Sequence, residues 1–87
     1  MYIIMVYDIG EKRVSKILKI ARKYLNWIQN SVFEGILTKS QFEKLKYEVN
    51  NIINEKEDCV IYFILKDFSF VKKETQGIPK IENSNFL

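Results

Sequence analysis

Hydrophobic and polar positions along this chain switch between a period of two and a period near 3.6. Residues 2–8 (YIIMVYD) are aromatic, β-branched or otherwise apolar up to Asp8 and are closed by Gly10, which predicts a strand. Over residues 12–25 the apolar positions move to helical spacing: Val14, Ile17, Leu18, Ala21, Tyr24 and Leu25, with Ile28 beyond, form the stripe of a first helix. Residues 27–37 (WIQNSVFEGIL) return to period two, with Trp27, Gln29, Ser31 and Phe33 on one side and Gly35 marking a bulge or a close approach. Ser40 followed by Glu43 has the form of a capping box, and Phe42, Leu45, Val49, Ile52 and Ile53 give a second helix its apolar face. Residues 59–65 (CVIYFIL) make a wholly apolar strand, and 70–76 (FVKKETQ) return as a tail strand before Gly77.

A bend concealed in the 27–37 segment gives the order β-α-β-β-α-β. That is an α+β, ferredoxin-like sandwich: an antiparallel sheet with strands 2–8 and 59–65 at its centre and both helices on one face. Residues 1–78 form this one domain and residues 79–87 a C-terminal tail. Both predicted central strands are apolar on both faces, while two helices cover only one. The uncovered face predicts a sheet-to-sheet homodimer, with tail residues Ile81, Phe86 and Leu87 crossing to the partner; the competing reading is a lid formed by the tail strand.

Charge adds a second asymmetry. The chain carries 14 Lys+Arg against 11 Asp+Glu, a net charge of +3 in 87 residues, and the excess is uneven. In the first helix Lys12, Arg13, Lys16, Lys19, Arg22 and Lys23 are opposed only by Glu11, a strip suited to phosphates or, on the plainer reading, to water. Lys72 and Lys73 add to it. There is no histidine, so Ser31 and Ser40 cannot belong to a Ser-His triad, and no Cys/His cluster offers a zinc site. Three glycines, at 10, 35 and 77, make no phosphate-cradling loop. Cys59, the one cysteine, reads as an inert strand residue, and together with the lack of a basic leader it predicts a cytoplasmic protein. That leaves Asp8. A strand-end aspartate serves as a turn former, or, where a two-fold axis pairs two copies, as half of a Mg²⁺ site acting on phosphodiesters.

Tyr7-Asp8-Ile9 closing the first strand, the basic helix behind it, and Gln29-Asn30-Ser31-Val32-Phe33-Glu34-Gly35 in the second strand resemble the CRISPR-associated endoribonuclease family, the smaller of the two universal spacer-acquisition proteins. The resemblance spans residues 1 to about 78. It implies a ferredoxin-like homodimer in which Asp8 binds Mg²⁺ and is the catalytic residue, while Lys12 and Arg13, with Lys16 in the same strip, hold nucleic acid. Trp27 stands where relatives often carry an arginine. Two functions follow from the resemblance: a nuclease cutting single-stranded RNA or duplex DNA, and an adaptor that bridges CRISPR integrase dimers and supports a spacer DNA duplex. A toxin-type ribonuclease on the same fold is a third.

Overall fold

The alternation in β1 (Tyr2–Asp8) decides which way the sheet faces: Ile3, Met5 and Tyr7 are buried, whereas Tyr2, Ile4 and Val6 are partly exposed and Asp8 is exposed. In the computed structural model, which describes residues 1–80, β1 is followed by α1 (Glu11–Tyr24), β2 (Asn26–Gln29), β3 (Val32–Ile36), α2 (Lys39–Asn50) and β4 (Cys59–Leu65). The sheet order is β2-β3-β1-β4 with every neighbouring pair antiparallel, the ferredoxin-like arrangement expected from the pattern. Ile3, Met5, Tyr7, Phe33 and Leu37 meet Ile17, Ile20 and Ala21 of α1 and Phe42, Leu45 and Val49 of α2 in a single core.

The 27–37 segment divides at a tight turn on Asn30 and Ser31. Asn30 takes φ 45°, a left-handed conformation that asparagine tolerates better than most residues. Trp27 braces the turn, its indole Nε1 donating to the Asn30 carbonyl at 3.0 Å. The register irregularity lies in β2, between Trp27 and Gln29, and Gly35 marks a close approach instead: a Cβ there would stand 3.0 Å from Leu25 Cδ2 and 3.5 Å from Leu25 Cα.

Three expectations are corrected. The capping box of α2 is Thr38 with Gln41, two residues before Ser40 and Glu43: the Gln41 amide donates to Thr38 Oγ1 at 3.1 Å and the Thr38 amide to Gln41 Oε1 at 2.9 Å. The helix starts early because Leu37 is still paired with Met1 (N–H to carbonyl, 2.9 Å) and the chain turns at once. Residues 70–76 form no strand: Phe68–Phe70 is a short 3₁₀ turn, and beyond it the charged run 72–74 leaves the ladder, Lys73 forming an ion pair with Glu34 of β3. With nothing laddered outside it, β4 is an edge strand, and β1 and β3 are central. The tail residues expected to cross to a partner, Ile81, Phe86 and Leu87, lie outside the described residues.

One face of the sheet carries both helices; the other, bearing Tyr2, Ile4, Glu34, Ile36, Ile61, Phe63 and Leu65, carries no helix, and although Lys73 reaches it at Glu34, its β4 side stays exposed. Phe63 is 57% exposed there, and Phe70 just past the sheet 85%. On the helix side Tyr62 sets its ring edge-on to Phe42 at 5.2 Å between centroids, but its buried hydroxyl has no hydrogen-bond partner among the described residues, and burial pushes its phenol up to about 12. Tyr62→Phe removes that unpaired group and should raise stability by about 1 kcal/mol in urea titrations. A loss would show that the hydroxyl is satisfied in solution.

Candidate functional site

Asp8 ends β1, and its side chain belongs to the open face. Its neighbours on that face are apolar: Val6 in its own strand and, across the ladder, Ile61 next to Cys59, the residue in register with Asp8. Cys59 is therefore the first residue of β4 and exposed beside the carboxylate, not sunk in mid-strand. The strand end is fixed from the other side by the Tyr7 amide, which donates to the Ser31 carbonyl at 3.1 Å. Tyr7 itself points into the core against Phe33 with 6.2 Å between ring centroids, and burial pushes its phenol up, opposed by a hydrogen bond with Ser31 and by the charge of Arg22.

After Asp8 the chain needs two residues, Ile9 and Gly10, to enter α1. Gly10 is the N-cap and offers no side chain to cap with; Asp58, from the loop before β4, supplies the carboxylate instead. Asp58 Oδ1 accepts from the Gly10 amide at 2.7 Å and from Arg13 Nη2 at 3.0 Å, and Oδ2 accepts from Arg13 Nε at 2.6 Å and from the Asn54 amide at 2.8 Å. The Asp58 side chain is fully excluded from solvent. The Arg13 guanidinium holds this carboxyl far below the usual range; burial works the other way, and the two backbone N–H donors reinforce the guanidinium. Arg13 also pairs with exposed Glu57 at 2.9 Å, and the two acids push the guanidinium pKa up.

The expected nucleic-acid residues thus part company. Lys12 and Lys16 are exposed on α1, whereas Arg13, named with them, is engaged by Asp58 and Glu57. Gly10, Glu11, Lys12, Arg13 and Glu57 line a shallow depression of about 320 Å³ at the helix start. Farther along, Lys19 stays exposed while Lys23 is taken up by Glu48 of α2, so the strip loses cations toward both ends. Asp58 was not legible as a site residue. Its signal is an acid immediately before an apolar strand, and its meaning appears only once β4 pairs with β1 in this register.

Among the described residues no group of three or more His, Cys, Asp or Glu side chains is placed to hold a metal ion, and no helix is long and apolar enough to cross a membrane. Residues 1–73 match the family model for CRISPR associated protein Cas2. The chain belongs to the Cas2 family. It is similar to proteins named CRISPR-associated endoribonuclease Cas2 from Thermotoga maritima, 55% identical over 83 residues and 95% of each chain, and from Dictyoglomus turgidum, 48% identical over the whole of both chains. A crystal structure described as that of Cas2 superposes with a TM-score of 0.80 at 38% identity, covering 92% of this chain and 90% of the other. The Cas2 match takes in Asp8, the α1 strip and Asp58, and ends at Lys73, the residue tied to Glu34.

Because the folded Asp58 carboxyl binds a proton less readily than the unfolded one, its contribution is complete above its ordinary value of 3.8 and is lost as the pH falls below it. Asp58→Asn should lower the neutral-pH melting midpoint by about 5–10 °C. It should also flatten the decline as the pH falls below about 4. Melting curves across that range check both; a variant curve parallel to the wild type would contradict the assignment.

Proposed function

We propose that the chain is an endoribonuclease of CRISPR defence that works as a homodimer, with Asp8 of each copy contributing to Mg²⁺-assisted cleavage of phosphodiester bonds. The placement of Asp8 carries this reading: an exposed carboxylate at a strand end, on the apolar face that the helices leave open. The naming of the relatives as endoribonucleases supports the activity. A second copy packed on the open face would cover Ile61, Phe63 and Leu65, which a soluble monomer has no reason to expose together.

One solvent-facing carboxylate fits an ion that keeps most of its waters and is held by one or two carboxylates plus substrate phosphate, which is the habit of Mg²⁺. When bound, such an ion neutralises phosphate charge and makes water a better nucleophile, chemistry for which a chain without histidine has few other means. Asp8 would hold it. Lys12 and Lys16 take the phosphate backbone of a nucleic acid laid along the start of α1.

A second reading is favoured by the layering of the fold. The α1 strip belongs to the helix layer and Asp8 to the opposite face of the sheet, so a duplex can rest on the lysines without reaching the carboxylate. On this reading the dimer is an adaptor that bridges the CRISPR integrase and supports spacer DNA.

Asp8→Asn separates the two. It should cut Mg²⁺-dependent cleavage of single-stranded RNA by at least about 100-fold, the scale on which one group that stabilises the transition state is felt. Sedimentation at micromolar concentration should give the dimer mass for both proteins. Wild-type cleavage by the variant would overturn the nuclease reading, and preserved spacer acquisition with lost cleavage would establish the adaptor role alongside it. Substituting Lys12 and Lys16 by Ala should weaken binding uniformly across sequences and reduce the salt slope by about two, one for each lost phosphate contact. An unchanged slope would remove the strip from the nucleic-acid interface.

A further inference from the structure

The geometry points to Asp58 and Arg13 as a pair of positioning residues for Asp8, with Arg13 serving the carboxylate's backbone and not the nucleic acid. This rests on the reading of Asp8 as the catalytic carboxylate.

The chain closes a small ring around the strand end. Asp8 runs through Ile9 to Gly10; the Gly10 amide donates to Asp58 Oδ1 at 2.7 Å; Asp58 is followed by Cys59; and Cys59 returns to Asp8 across the β1–β4 ladder. The backbone on either side of Asp8 is therefore held, by the sheet behind it and by Asp58 in front. Asp58 is held in turn by Arg13, whose Nε and Nη2 grip its two oxygens in the forked manner that fixes direction as well as distance.

Helix chemistry explains why two residues are needed. In α2 the third helical residue, Gln41, reaches back to the N-cap amide directly. In α1 the third helical residue is Arg13, which has no acceptor to offer, so the acid that receives the Gly10 amide comes from Asp58 and Arg13 holds it in place. The arrangement is the half of a capping box that satisfies the N-cap amide, supplied by a residue 48 positions away in the chain. Gly10 is fitted to it: a Cβ there would lie 2.5 Å from Arg13 Nη2 and 3.4 Å from Asp58 Oδ1. With Glu57 also on the guanidinium, Arg13 faces two carboxylates, which leaves little positive charge for a phosphate.

A reacting group displaced by about 1 Å can lose on the order of 100-fold in rate, so slackening the ring should act on turnover and on the metal held by Asp8, and not on the binding of RNA. Asp58→Asn and Arg13→Lys should each lower kcat for Mg²⁺-dependent RNA cleavage roughly 10- to 100-fold while KM stays within about two-fold. Arg13→Lys keeps the charge but not the fork, so a loss of kcat there is not a loss of electrostatic attraction. Independently of activity, Arg13→Ala should leave the slope of log Kd against log salt unchanged, whereas Lys12→Ala reduces it by about one. Mn²⁺ titration followed by electron paramagnetic resonance should show weaker binding in Asp58→Asn than in wild type, although Asp58 has no oxygen free for a metal.

If Arg13→Ala lowers the salt slope as Lys12→Ala does, Arg13 is a phosphate contact and the inference is overturned. Unchanged kcat and Mn²⁺ binding in Asp58→Asn, with Asp8→Asn inactive, would overturn it while the nuclease reading stands. Full activity in Asp8→Asn would remove that reading, and the positioning role with it.

Discussion

Two helices of 14 and 12 residues cannot cover both faces of a four-stranded sheet, and that shortage organises the molecule. The covered face is closely packed: Ile3, Met5, Ile17, Phe33 and Leu45 are all fully buried, each worth about 1.5–3 kcal/mol relative to exposure. On the other face the same kinds of side chain, Ile61, Phe63 and Leu65, forgo that gain. A domain this small has little stability in reserve, so an apolar face left in water is a standing cost that a second body would remove. The edge position of β4 sharpens the point, because alternate residues of this apolar strand turn unpaired backbone groups outward.

The ferredoxin-like order was legible because α1 and α2 have a helical period, because β1 and β4 are short continuous apolar runs, and because Asn30, though not followed by glycine, could still turn. What misled was continuity of apolar character. The run from Cys59 to Leu65 reads as a central strand because every position is apolar, but apolar character says only that a surface prefers cover, not that the same chain supplies it. Residues 70–76 failed for a related reason: Phe70 and Val71 lead the run, yet a strand needs a neighbouring backbone, and Lys73 found the Glu34 carboxylate instead. The capping box expected at Ser40 and Glu43 forms two residues earlier, at Thr38 and Gln41, where the pairing of Leu37 with Met1 brings the chain to its turn.

Charge was readable as a composition but not as a surface. The first helix has one acid among its own residues, which suggests a field of free cations. Folding brings acids from elsewhere: Asp58 and Glu57 to Arg13, and Glu48 to Lys23 and Tyr24. The same Glu48 carboxylate is held below its ordinary value, first by Lys23 and then by Tyr24, so it acts as a partner and not a stray charge. Lys12 and Lys16 keep their exposure. With Lys19, also exposed, they make a strip with fewer open cations than the sequence suggests.

Asp8 and Asp58 show how environment separates two identical side chains near one strand end. Asp58 is sealed from water and receives four hydrogen bonds, which leave it no free lone pair to spend on a ligand. Asp8 is the reverse: exposed, next to a thiol and to apolar neighbours, its oxygens open to whatever approaches the sheet face. A satisfied carboxylate makes a good anchor and a poor ligand, and an unsatisfied one the opposite. Chemistry at a strand end needs both, since a lone exposed acid on a loose chain would be aimed at nothing in particular. The anchor could have been built on the same helix, as Gln41 does in α2; by drawing it from the start of β4, the fold ties Asp8 to the strand that also carries the open face.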